Sequence, residues 1–214
     1  MTQTPVSMSP EEHARVAEAI RAAEQRTAGE IYCVLARSSD SYFLPAAFFV
    51  TVAILIVSLA AALALDYWWL DIGIEWFVVA QLLAVACALV LLRLAPSLRM
   101  FLVPRSLQYR RAHDNAVKQF LSRNVHVTVA RTGVLIFVSL AERYAEIVAD
   151  SGINRHVRQD DWDGIVGDLI AHARQDRLAD GFVAAIAAVG QHLALHFPVA
   201  ADDANELDDH LVEI

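Results

Sequence analysis

Two long apolar runs constrain this chain before anything else. They are residues 43–65 and 76–92, parted by the acidic, aromatic segment Asp66-Tyr-Trp-Trp-Leu-Asp-Ile-Gly-Ile-Glu75. A hydrocarbon core of about 30 Å is crossed by roughly 20 apolar helical residues, and the first run supplies 23 with no charge. The second run is shorter. Ile72 and Ile74 before it and Arg93-Leu94-Ala95 after it extend the helix, with Arg93 reaching back to the headgroups before Pro96 stops it. The two runs predict a transmembrane hairpin. A buried core helix of a large soluble protein is the alternative; against it stand the length of the first run and the rings of Tyr67, Trp68, Trp69 and Trp76 at the shared end, where amphipathic aromatics prefer the interface.

Arginine and lysine set the orientation. The connecting loop has neither, whereas Arg37 precedes the hairpin and Arg93, Arg99, Arg105, Arg110 and Arg111 follow it, so both termini are expected in the cytoplasm. From residue 93 to 123 there are seven basic residues against one acid, Asp114, which suits anionic lipid beneath the membrane. Nucleic acid is the weaker reading and is not expected as a partner, because membrane topology accounts for that cluster and the net charge of the chain is −8. The hydrophobic fraction of 57% reflects the hairpin, not the aqueous part, which is large enough for one ordinary domain.

Ser9-Pro10-Glu11-Glu12 reads as a capping box with proline at the first helical position. The helix it starts carries Val16, Ala19, Ile20 and Ala23 on one stripe, with Gly29 expected as its cap. Residues 30–36 are a continuous apolar run suited to a strand covered on both faces. After the hairpin, residues 106–121 form an amphipathic helix with Tyr109, Ala112, Ala116 and Phe120 inward. Residues 133–140 are the strongest strand, and 144–149 should return antiparallel after a tight turn. Asp160 or Asp161 is expected to cap a helix with Trp162, Ile165, Val166, Leu169, Ile170 and Ala173 in helical period; a last helix over 179–196 turns Phe182, Ile186, Val189 and Leu193 inward and stops at Pro198.

This order predicts a compact α/β/α sandwich with a small mixed sheet, the strands at 30–36 and 133–140 being parallel neighbours. The expected organisation is a first domain part over 1–42, the hairpin over 43–95, a second domain part over 96–198 and an acidic tail over 199–214. Cys33 in a strand and Cys87 in a span do not suggest a disulfide. The first residues have no basic or apolar signal region, so the first span is expected to serve as the insertion signal.

The segments Thr27-Ala-Gly-Glu-Ile-Tyr-Cys-Val, Arg131-Thr-Gly-Val-Leu-Ile-Phe-Val-Ser-Leu-Ala-Glu-Arg143 and Ala179-Asp-Gly-Phe-Val-Ala-Ala-Ile resemble the TPM domain family. With two spans inside the domain and Asn205-Glu-Leu207 near the end, the chain is similar to bacterial two-span TPM membrane proteins, which implies the bacterial inner membrane. The resemblance implies no single chemistry: family members are described as weak acid phosphatases, photosystem repair factors and receptor accessory proteins. Many members follow the third strand with Gly-x-Gly-Leu, where this chain has Asp150-Ser-Gly-Ile153. The usual family domain is also extracytoplasmic on one anchor, unlike the orientation expected here.

Candidate chemistry is sparse. Asp150, Asp160, Asp161 and Asp163 gather in sequence near a strand end and a helix start and could offer oxygens to Ca²⁺ or Mg²⁺, but they lack EF-hand spacing, and helix-terminal and solvated acids are the plainer reading. Arg131, Thr132 and Arg143 flank the central strands and could grip a phosphate. His192 and His196 share a helical spacing without the glutamate or third ligand of a zinc protease. The spans contain only Thr51, Ser58 and Gln81 as notable polar residues, which argues for packing rather than transport. The resulting expectation is a membrane-anchored module that assists assembly or maintenance of other membrane proteins, with a weak metal-dependent phosphatase as the alternative. Leu207, Leu211, Val212 and Ile214 interrupt the acids of the tail, so its end should dock on the domain or a partner, its acids facing the arginines of the helix at 106–123.

Overall fold

A computed structural model describes residues 8–70, 73–128, 131–199 and 210–214 of the chain. It divides into two compact units, one made of Met1–Ser39 with Tyr109–Ile214 and the other of Asp40–Gln108.

The first unit holds the sheet. Its α1 (Pro10–Glu24) starts with the expected capping box, in which Ser9 accepts from the Glu12 N–H and the Glu12 carboxylate takes the Ser9 N–H. Four strands follow in sheet order β3-β2-β1-β4: β1 (Glu30–Ala36), β2 (Gly133–Ser139), β3 (Tyr144–Ala149) and β4 (Leu211–Glu213). β1 runs parallel to β2 from Glu30 opposite Gly133 to Ala36 opposite Ser139, and β3 returns antiparallel to β2. Every residue of β1 and β2 is buried, because helices cover both faces of the sheet. The period of two divides β1 between two cores. Ile31, Cys33 and Leu35 pack with α1, α6 (Gln159–Ala173) and α7 (Leu178–His196), while Tyr32, Val34 and Ala36 pack with Ala116 and Phe120 of α5 (Arg105–Ser122). The result is the expected α/β/α sandwich with a small mixed sheet.

Three local expectations need correction. The helix capped by Ser9 ends at Glu24 with Gln25 at its C-cap in a right-handed conformation, so Gly29 is not its cap; a Cβ on Gly29 would lie 2.9 Å from Leu193 Cδ1, and close packing explains the glycine. Asp160 and Asp161 lie inside the first turn of α6, whose N-cap is Arg158, with no side-chain capping bond to the helix backbone. They favour the helix end by charge, not as caps. Finally, the end of the tail docks on the domain as expected, but not on the helix at 106–123: residues 211–213 form β4, which pairs parallel with β1 from Cys33 opposite Leu211 to Leu35 opposite Glu213. The acids Asp202, Asp203, Asp208 and Asp209, with Leu207 and Asn205-Glu-Leu207, lie outside the described residues.

The second unit holds α2 (Phe43–Tyr67), α3 (Ile74–Leu94) and α4 (Pro96–Leu102). α2, α3 and α7 are all long and apolar enough to cross a membrane, but 44% of the apolar window of α7 is buried in the protein, against 0% and 6% for α2 and α3. α7 is a core helix; α2 and α3 leave their apolar surface uncovered. At their near ends Arg99 donates to the carbonyls of Leu92 (2.7 Å), Arg93 (3.0 Å) and Ser41 (3.3 Å) and lies over the Phe43 ring. Three carbonyls at or near helix ends thus gain a cationic donor.

Candidate functional site

In open parallel sheets ligands bind outside the carboxyl ends of the strands. At that end of β1 and β2 the ladder is continued by Leu140 N–H to Ala36 O (2.9 Å) and Ala141 N–H to Arg37 O (3.1 Å). A tight turn then closes with Arg143 in the left-handed region (φ 52) and carries Glu142 inward, where it is fully buried. Its Oε1 accepts the Ser39 N–H at 2.8 Å and the Ser38 hydroxyl at 3.4 Å, and its Oε2 accepts the Ser139 hydroxyl. Ser39 donates in turn to Ser139 Oγ at 3.0 Å. The carboxylate thus fastens the segment leaving β1 to the end of β2. As chemistry the network is incomplete, since Ser139 donates to a carboxylate rather than to a histidine base. Sequence reasoning missed Glu142 and Ser139; the available signal was an acid placed three residues beyond the serine that ends an otherwise apolar strand.

The sequence-predicted residues do not converge. Arg131 precedes β2 and Arg143 follows it, so a strand of about 20 Å parts them and one phosphate cannot bridge both. Thr132 is committed to the fold: its hydroxyl donates to Ala28 O at 3.0 Å and its N–H to Thr128 Oγ1 at 3.0 Å. Asp150 is buried at the end of β3 opposite Gly133, with one carboxylate oxygen accepting the Ser151 N–H and the other without a partner among the described residues. Asp160 pairs with Arg158 at 2.6 Å, Asp163 accepts from Gln159 at 2.9 Å, and Asp161 is exposed in the same turn. Among the described residues no three His, Cys, Asp or Glu side chains gather to hold a metal. His196 stacks on His156 with centroids 5.4 Å apart, and the His192 ring lies 6.0 Å from Trp162.

A further polar cluster sits on β3. Glu146 meets His113 Nδ1 at 2.9 Å and accepts the Tyr144 hydroxyl at 2.9 Å, while the Tyr144 ring packs on Tyr109. Burial, followed by the neighbouring charge of Glu146 and the hydrogen bond to it, pushes the Tyr144 phenol well above its usual range.

The family model of the TPM domain matches residues 97–192, from α4 through most of α7. The NMR structure of the BA42 protein from the psychrophilic bacterium Bizionia argentinensis is similar over 100% of both chains, with a TM-score of 0.61 at 21% identity, which is a likeness of fold. No curated protein sequence matches significantly. The motif strand β2, its turn and the helices after it thus lie inside the matched region, and residues 97–192 are what this chain shares with the TPM domain.

Proposed function

We propose that the chain is a membrane-anchored TPM module that assists the assembly or maintenance of other membrane proteins through protein interaction, held in the bacterial inner membrane with both termini cytoplasmic. The observation that carries this reading is the insertion of two uncovered apolar helices, α2 and α3, between the two halves of a domain whose candidate metal- and phosphate-binding residues stand apart. Large rings at the distal end support it, with Trp69 91% and Trp76 69% exposed. Arg105, Arg110, Arg111, Lys118 and Arg123 are exposed along and just beyond α5, where anionic lipid headgroups would meet them.

Reporters test the orientation. A reporter active only outside the cytoplasm should give signal when inserted at Gly73 and none when fused after Ile214; the reverse result overturns the orientation. Crosslinking in native membranes should then capture the same membrane proteins reproducibly, and their absence would count against the module.

A weak Ca²⁺- or Mg²⁺-dependent phosphatase is the second reading, favoured by the unpartnered, buried Asp150 oxygen. Hydrolysis of a generic phosphate ester by the purified chain should be slow at most. Turnover that needs the cation and disappears in Asp150→Asn would favour the enzyme instead.

A further inference from the structure

The two edges of the sheet differ. β4 is three residues long, and its Glu213 is engaged by the Met8 N–H at 2.9 Å and by His13 at 3.0 Å. The β3 edge is longer and open. Asp150 N–H bonds to Gly133 O, so the alternation of an antiparallel ladder assigns Tyr144, Glu146 and Val148 to bonding with β2 and leaves the main chains of Ala145, Ile147 and Ala149 facing outward. Ala149 O is taken by Asn154 Nδ2 at 2.9 Å. The N–H and C=O groups of Ala145 and Ile147 have no partner among the described residues. They border a groove of about 200 Å³, walled on the other side by Gln159, Trp162 and Asp163 of α6.

We propose that this edge accepts an extended peptide as a fifth strand, with a lysine or arginine of the peptide opposite Glu146. The inference rests on the interaction-module reading and names the surface and partner chemistry it uses. Main-chain groups of Ala145 and Ile147 supply two donors and two acceptors, the mode of strand addition. Charge selects the occupant: the groove is lined by two acids, Glu146 and Asp163, and by no base. Glu146 already accepts from Tyr144 and His113, but a carboxylate has about four acceptor sites, and an opposite charge directly across the strand pair is favourable. A second copy fits badly. Antiparallel pairing that uses all four outward groups sets Ala145 opposite Ile147 and therefore Glu146 against Glu146, a repulsive pair. Trp162, only 2% exposed with an indole N–H lacking an acceptor among the described residues, lines the same groove and adds a donor in want of a partner.

The test uses the full chain in detergent and two short extended peptides of alternating threonine and valine, one with a central lysine and one with a central glutamate. The lysine peptide should bind about three- to tenfold tighter, and it should slow amide exchange at Ala145 and Ile147. Glu146→Lys should reverse the preference. Ala145→Pro removes an outward N–H without touching the β2 ladder, so the variant should keep its melting transition and bind neither peptide. Equal affinities, or unchanged exchange at both amides under saturating peptide, would overturn the inference. So would protection of those amides by self-association alone. If native-membrane crosslinks persist in Ala145→Pro, this surface is wrong while the module reading stands; if crosslinks are absent in the wild type but the lysine peptide binds, the module reading fails and the edge remains a peptide site.

Discussion

Cys33 lies opposite Leu211 in the parallel ladder of β1 and β4, so the last residues of the chain complete a sheet that begins near its start. Leu211 is 3% exposed and belongs to the core shared by α1, α6 and α7. Leu211→Ala should therefore cost about 2–4 kcal/mol, the range for a large-to-small core change, read as a lower urea midpoint of the detergent-solubilised chain. Deleting residues 210–214 should also bare the β1 edge and speed proteolysis. An unchanged midpoint and digestion pattern would mean that β4 contributes nothing to the fold.

That contact shows which part of the chain was legible in its sequence. The aliphatic residues among the tail acids announced docking, but a three-residue strand carries too little periodicity to announce pairing with β1. The acid that can be placed, Glu213, meets Met8 and His13 instead of an arginine on α5. Long apolar runs were legible because length and continuity alone decide them: β1, β2, α2 and α3 fall close to their expected bounds. The site was not. Arg131 and Arg143 flank one motif in sequence, and only the extension of β2 puts them at opposite ends of it. Glu142 looked like a turn residue, yet the left-handed conformation of Arg143 closes a turn that buries it among serines.

Glycines separate packing constraints from helix propensity. A Cβ at Gly133 would stand 2.0 Å from the Val125 carbonyl oxygen, whereas Gly167, on an exposed part of α6, has nothing within 4 Å. Gly133→Ala must displace backbone and should lower stability by more than about 2 kcal/mol, as overpacking does. Gly167→Ala should raise it by about 0.5–1 kcal/mol through helix propensity. Thermal melts of the two variants beside the wild type check the opposite signs.

Cys33 should be chemically silent while the domain is folded. It is fully buried in β1, and burial first, with the nearby charge of Glu24 second, pushes its thiol pKa far above the ordinary value, so almost no thiolate forms. In a Cys87→Ser background, native maleimide labelling should be negligible and should appear on adding denaturant. Rapid native labelling would show that β1 is accessible from solvent.

Tyr144 gives the domain an alkaline limit with a definite sign. Its phenol donates to Glu146 and packs on Tyr109, and burial together with the Glu146 charge raises its pKa above the ordinary 10.0. The neutral form is the one the fold prefers. Below about pH 10 both folded and unfolded chains hold that proton, so the stabilisation is fully present. As the pH rises past 10 the unfolded chain releases it first, and the stabilisation falls until the folded phenol ionises as well. Tyr144→Phe has no proton to lose and no hydrogen bond to Glu146, so it should be less stable than the wild type at neutral pH by about 1 kcal/mol or less for a half-exposed donor. Above about pH 10 the gap should shrink toward zero or reverse, which urea midpoints of both chains at stepped alkaline pH would record. A gap that stays constant across that range would mean that Glu146 and burial do not bias the phenol, and with it the packing of β3 against α5 at Tyr109 would need another cause.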